Sequence, residues 1–213
     1  VEKFRQIVVD AGKEMRRRSL TVATWGNISV RDPESEYIVI TPSGMDYEAC
    51  VPDDMLVFDK DGRIVAGERR PSIEKDLHIS IYQHRPDVNA IIHTHPIYST
   101  VFAVTRQGIP AITEEFAQVV GYTVKCAEYA MPGTKELAEN AVRALGQERA
   151  VLLASHGAVC AGPDMETAFK ISDVLEKTAQ ILILSRTIGT PGIISKQDVK
   201  VMQDFLKTGY GQR

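Results

Sequence analysis

Two short apolar runs that end on histidine constrain this chain more than any other feature. Ala90-Ile91-Ile92 leads into His93-Thr94-His95, and Val151-Leu152-Leu153-Ala154-Ser155 leads into His156-Gly157. Runs this short, with no polar alternation, predict strands covered on both faces of a sheet. Residues two apart in a strand point to the same side, so His93 and His95 emerge together from a rigid element. If the end of the second run comes to the same edge of the sheet, His156 completes a set of three. Three protein ligands and an open position are the pattern of a catalytic zinc site, whereas a closed set of four is structural. By spacing alone, His-x-His also suits ordinary histidines at a strand end, and both readings stand at this point.

The rest of the chain supplies the frame. Phe4, Ile7, Val8, Ala11 and Met15 recur at helical spacing and predict an amphipathic helix over residues 2–18. Short strand candidates follow at residues 37–40, 55–58 and 63–65, the last two joined by an Asp61-Gly62 hairpin turn. Ser72 is placed to cap a helix over 73–85, which Arg85-Pro86 ends. Residues 98–104 begin another helix. Thr134, Asp164 and Ser195 are read as the caps of three more, the second covering 165–187. Strands and helices mix without strict βαβ alternation. The expected architecture is α/β in an α+β-like form, one domain over 1–213 with a central, mostly antiparallel sheet and helices on both sides.

Composition narrows the function classes. A net charge of -3 with no strongly basic block excludes a nucleic-acid footprint. No apolar stretch reaches the roughly 20 residues of a membrane span. The start of the chain does not resemble a signal peptide, and its first residue, Val1, implies that an initiator Met or tag is missing. Cys50, Cys126 and Cys160 are odd in number and far apart, which fits buried thiols in a reduced, cytoplasmic protein.

Three turns can cradle an anion: Gly26-Asn27, Ser43-Gly44 and Ser72 ahead of a helix. Small residues let backbone N–H groups approach a phosphate, and a helix start attracts it. Ordinary turn chemistry explains any one of them equally well. Glu74, on spacing alone, is a first-turn helix carboxylate favoured by the helix dipole. His78 and His84 fall on the same predicted helix and are read as structural or surface residues.

Taken in order, these pieces resemble the class II aldolase family, which contains L-fuculose-phosphate aldolase, L-ribulose-5-phosphate 4-epimerase and the adducin head. The resemblance runs over nearly the whole chain. It is carried by Gly26-Asn27-Ile28-Ser29-Val30-Arg31, Ile40-Thr41-Pro42-Ser43-Gly44, Pro71-Ser72-x-Glu74, Tyr82-Gln83-x-Arg85-Pro86-Asp87-x-Asn89-Ala90, His93-x-His95, Tyr129-Ala130 with Gly133-Thr134, and His156-Gly157. The chain looks closest to the fuculose-phosphate aldolase branch, because the epimerases usually carry Asp where Glu74 stands.

The resemblance implies a zinc ion on His93, His95 and His156. It makes Glu74 the fourth ligand of the empty enzyme and the general base once substrate arrives. It implies a phosphate held by Asn27, Ser43, Gly44 and Ser72, and a zinc-stabilised enediolate of dihydroxyacetone phosphate that joins or leaves a short aldehyde. It also implies a homotetramer with fourfold symmetry and active sites at subunit interfaces, where Glu114 and Tyr210 reach into a neighbouring subunit's site. Two positions depart from the pattern. Ile73 stands where a second phosphate-binding Ser is usual, and Glu114, followed by Glu115, stands where a tyrosine is usual. The same scaffold carries sibling activities: a pentulose-phosphate 4-epimerase, a methylthioribulose-phosphate dehydratase, a sugar-acid phosphate decarboxylase, and the non-catalytic adducin head.

Overall fold

A computed structural model of the chain describes residues 1–208. Nine strands form one sheet: β1 (Asn27–Arg31), β2 (Ile38–Ile40), β3 (Leu56–Phe58), β4 (Ile64–Ala66), β5 (Ala90–Thr94), β6 (Ile109–Pro110), β7 (Thr123–Ala127), β8 (Ala150–Leu153) and β9 (Gly157–Gly162). Their spatial order is β4-β3-β2-β1-β5-β9-β8-β7-β6. Every pairing is antiparallel except that of β7 with β8, so the expected architecture is observed.

Among the described residues, seven α-helices cover the sheet: α1 (Glu2–Arg17), α2 (Lys75–His84), α3 (Ile97–Val104), α4 (Glu114–Val119), α5 (Lys135–Leu145), α6 (Met165–Ile188) and α7 (Lys196–Thr208). One face packs on α2 and α5. There Ile38, Ile40, Ile91, Val151, Leu153 and Val159 meet Leu77, Ile81, Leu137 and Ala141. The other face packs under α1 and α6, with α3, α4 and α7 flanking. Val39, Ile92, Leu152 and Cys160 point that way, as the period-2 alternation of strand side chains requires. No described helix is long and apolar enough to cross a membrane.

The helix caps follow the sequence at three places. Thr134 accepts from the Leu137 N–H, Asp164 from Thr167, and Ser195 from Asp198. Ser72 does not cap as expected. Its Oγ accepts from the Glu74 N–H two residues on, a local turn bond that competes with the helix, and α2 begins only at Lys75. Glu74 takes the N-cap position but makes no side-chain cap bond, which leaves its carboxylate free to turn inward.

β8 is not the neighbour of β5. The strand between them is β9, residues Gly-Ala-Val-Cys-Ala-Gly, whose small side chains carry little strand signal. A three-residue connection links β8 to β9, and Ser155 within it adopts a left-handed φ of 55°. The His156 N–H closes the turn on the Leu153 carbonyl at 3.0 Å. Of the cysteines, Cys50 and Cys160 are buried and Cys126 is half-buried; all three are free thiols.

Candidate metal centre and active site

Antiparallel pairing sets Asn27 opposite His93, and His93 opposite Val159. Directly paired residues share a face, and Val159 faces α2 and α5, so Asn27 and His93 do too. His93 is fully buried there. Its Nδ1–H donates to the Ala158 carbonyl at 3.0 Å, which turns Nε2 toward the end of the sheet. His95, just past β5, and His156, at the mouth of β9, bring their own Nε2 atoms to 2.9 and 3.2 Å from it. Glu74 comes down from α2, with Oε2 3.2 Å from His93 Nε2 and Oε1 3.4 Å from His156 Nε2.

This cluster favours a cation. Three imidazole nitrogens that face one another cannot all be satisfied by the protons of neutral rings. Glu74 Oε1 and His156 Nδ1 are buried without a hydrogen-bond partner. Burial pushes the Glu74 carboxyl up, but the charge and hydrogen bond of His93, the charge of His156 and the Asn27 amide overcome it and hold it well below the usual range. Burial pushes His93 down, yet the Glu74 charge and hydrogen bond, with the Ala158 carbonyl, leave it raised. Burial and the charge on His93 hold His95 down to about 3 and His156 down to about 4. These directions favour a carboxylate at Glu74 and unprotonated nitrogens on His95 and His156, a donor set suited to a cation. His93, His95 and His156 form the group able to hold a metal ion.

The anion-binding candidates line the cavity above. A space of about 400 Å3 is walled by Gly26, Asn27, Ser43, Gly44, Ser72, Ile73, Glu74, His95 and His156, among others. Two separate turns and a helix entry therefore meet at one site, which their sequence spacing left open. Asn27 Nδ2 donates to Glu74 Oε2 at 2.9 Å. Ile73 is 64% exposed and presents an apolar side chain to this cavity. Trp25, 63% exposed, stacks on His95 with the rings 6.4 Å apart.

Glu114 does not join this group. It is exposed at the first turn of α4 and lines neither cavity that touches His95 and His156. Glu115 pairs with Lys177 at 2.9 Å. Tyr210 lies outside the described residues.

A family model described as class II aldolase and adducin N-terminal domain matches residues 6–183. The chain belongs to the class II aldolase family. It is 36% identical over 213 residues to a 5-deoxy-D-ribulose 1-phosphate aldolase of Bacillus thuringiensis serovar kurstaki, covering 100% of this chain and 99% of the relative. It is 34% identical to the L-fuculose phosphate aldolase of Escherichia coli K12, covering 99% and 97%. A solved L-fuculose 1-phosphate aldolase superposes with a TM-score of 0.93 at 40% identity, over 96% of each chain. Class II aldolases are metal-dependent aldehyde-lyases, and His93, His95 and His156 form a group that could hold a metal ion.

Two glycines let this aldolase close its site. Gly26 has φ +75°, and a Cβ there would lie 2.6 Å from the His93 carbonyl. At Gly157 a Cβ would run into the Thr94 carbonyl and come within 3.0 Å of the His95 ring. Gly157→Ala is therefore expected to cost about 1–3 kcal/mol by overpacking. It should also weaken metal binding by pushing His95 and His156 apart. Thermal melting with and without added zinc checks both parts.

Proposed function

We propose that this chain is a zinc-dependent aldolase that cleaves or forms a ketose 1-phosphate, exchanging it with dihydroxyacetone phosphate and a short aldehyde. One observation carries the reading: the Glu74 carboxylate, His95 and His156 line a cavity, with His93 buried directly behind them, and the three candidate anion-binding turns share its wall. His93, His95 and His156 are assigned as the zinc ligands, with Glu74 the fourth in the empty enzyme. When bound, zinc supplies Lewis-acid stabilisation of negative charge on the substrate's carbonyl oxygen.

The chain's own residues do the rest. Glu74 takes a proton from the carbon beside the carbonyl, or returns it after the carbon–carbon bond breaks. Asn27, Ser43, Gly44 and Ser72 hold the phosphate through side-chain and backbone donors. Ile73 adds no donor, so backbone N–H groups carry more of that task. Glu114 and Tyr210 are assigned to the aldehyde end, delivered from a neighbouring subunit of a cytoplasmic homotetramer. A carboxylate at position 114 repels anionic aldehydes, and the apolar wall of Trp25, Ile97 and Val101 beside His95 suits an unbranched, uncharged one. A 5-deoxypentulose 1-phosphate, which releases acetaldehyde, is therefore the preferred substrate class.

Ser72→Ala is expected to raise KM for phosphorylated substrates about ten- to hundredfold, the value of a hydrogen bond to a charged group. It should change KM for unphosphorylated analogues far less, and a comparison of the two kinetic series checks this. The reading itself is tested by offering the zinc-loaded enzyme 5-deoxyribulose 1-phosphate, fuculose 1-phosphate and ribulose 5-phosphate. Release of dihydroxyacetone phosphate from a 1-phosphate supports it. Epimerised ribulose 5-phosphate with no such release would assign the chain to the sibling activity.

A further inference from the structure

One buried polar chain leads away from the cavity. Ser29 Oγ lies 2.6 Å from His78 Nδ1 and 2.8 Å from the Tyr82 hydroxyl, and His78 Nε2 bonds Asn27 Oδ1. The Asn27 amide in turn bonds Glu74. Asn27, Ser29, Glu74, His78 and Tyr82 are all at most 5% exposed. Two periodicities build this chain. Glu74, His78 and Tyr82 are spaced four apart on the α2 side, a rise of about 6 Å per step. Asn27 and Ser29 are two apart on β1, a rise of about 6.6 Å. The strand and the helix therefore present matching steps along their contact.

The chemistry of one end fixes the direction of every bond. Asn27 Nδ2 donates to Glu74 Oε2, so the Asn27 NH2 faces Glu74 and the Asn27 carbonyl, which can only accept, faces His78. His78 must then carry its proton on Nε2. Its Nδ1 accepts from the Ser29 hydroxyl, which accepts from Tyr82. Burial, with the charge of His93, holds His78 down to about 3 against the pull of Glu74, in keeping with a neutral ring.

We propose that His78, backed by Ser29 and Tyr82, is a positioning residue that locks the Asn27 amide with its NH2 toward Glu74. Without the lock, Asn27 can turn over. Its carbonyl then meets the carboxylate and repels it, and the cavity loses a donor from its wall. His78 touches neither the cavity nor the cluster of three histidines in this arrangement, so its effect must pass through Asn27. The proposal rests on Glu74 and Asn27 having the roles assigned above, but its structural core does not depend on the substrate.

The test has two arms on the zinc-loaded enzyme. Long-range proton–nitrogen NMR of the histidines, with the His78 signals assigned by their absence in His78→Gln, reads the tautomer directly. A neutral ring protonated at Nε2 is expected, and one protonated at Nδ1 would overturn the proposal whether or not any substrate is turned over. The kinetic arm follows proton exchange on dihydroxyacetone phosphate. His78→Phe is expected to slow it about ten- to hundredfold, as loss of a supporting hydrogen bond does. His78→Gln, which can still donate to Asn27, should recover most of the rate. The Asn27→Ala/His78→Phe double variant should be no slower than Asn27→Ala alone. Additive losses would mean that His78 acts on the fold and not through Asn27. A wild-type enzyme with no exchange at all would remove the aldolase reading, and the tautomer would still decide the lock.

Discussion

Replacing Glu74 with Gln is expected to slow proton exchange on dihydroxyacetone phosphate by about 100- to 10,000-fold, the usual cost of losing a positioned base. The carboxylate is buried, is favoured in its ionised form chiefly by the His93 ring beside it, and has one oxygen with no hydrogen bond. An ionised group in so dry a setting is poised to accept a proton when substrate displaces its neighbours. Gln keeps the shape and can still accept from Asn27 through its carbonyl, so the site should keep its zinc. Deuterium incorporation followed by NMR, with zinc measured on the same sample, reads both quantities. An exchange rate within a few-fold of wild type would count decisively against Glu74 as the base.

His93→Ala is expected to remove metal and activity together, from about one zinc per chain to a trace. His93 is the central ring of the cluster, bonded on one side to β9 and facing His95 and His156 on the other. Without it, His95 and His156 lose the ring that sets their common point of approach, and Glu74 loses its nearest imidazole. The Ala158 carbonyl loses its donor inside the sheet, which costs about 1–3 kcal/mol of stability. Circular dichroism should nevertheless show the native fold, because the nine-stranded sheet and both helical layers remain. Full zinc content in this variant would place the metal elsewhere.

The parts of this site that were legible in the sequence are those set by a local rule. The apolar runs ending at His93 and His156 formed buried strands because no polar alternation interrupted them. Thr134, Asp164 and Ser195 cap helices because each stands directly before a helical pattern. The parts that were not legible depend on partners distant in the chain. β9 is made of glycine and small residues, so its central place comes from its neighbours and not from its own propensity. Likewise β7, Thr-Val-Lys-Cys-Ala, pairs in parallel with β8, and its alternate polar residues conceal this. Ser72 looked like a cap because its own turn bond has the same residue type and nearly the same spacing. His78 read as a structural or surface residue until β1 supplied Ser29 and Asn27 on either side of its ring. The four-residue step from Glu74 to His78 to Tyr82, set against the two-residue step from Asn27 to Ser29, was present in the sequence. Only the pairing of α2 with β1 shows that the two steps face each other.

The central claim, a metal-dependent aldol reaction at the three-histidine cluster, is tested most directly by stripping and restoring the metal. Dihydroxyacetone phosphate release from 5-deoxyribulose 1-phosphate is followed in one sample as made, after exhaustive chelation, and after adding zinc in proportion to chain. Release should stop with the metal removed and return as zinc approaches about one ion per chain. Release that continues at full rate after chelation would contradict the account.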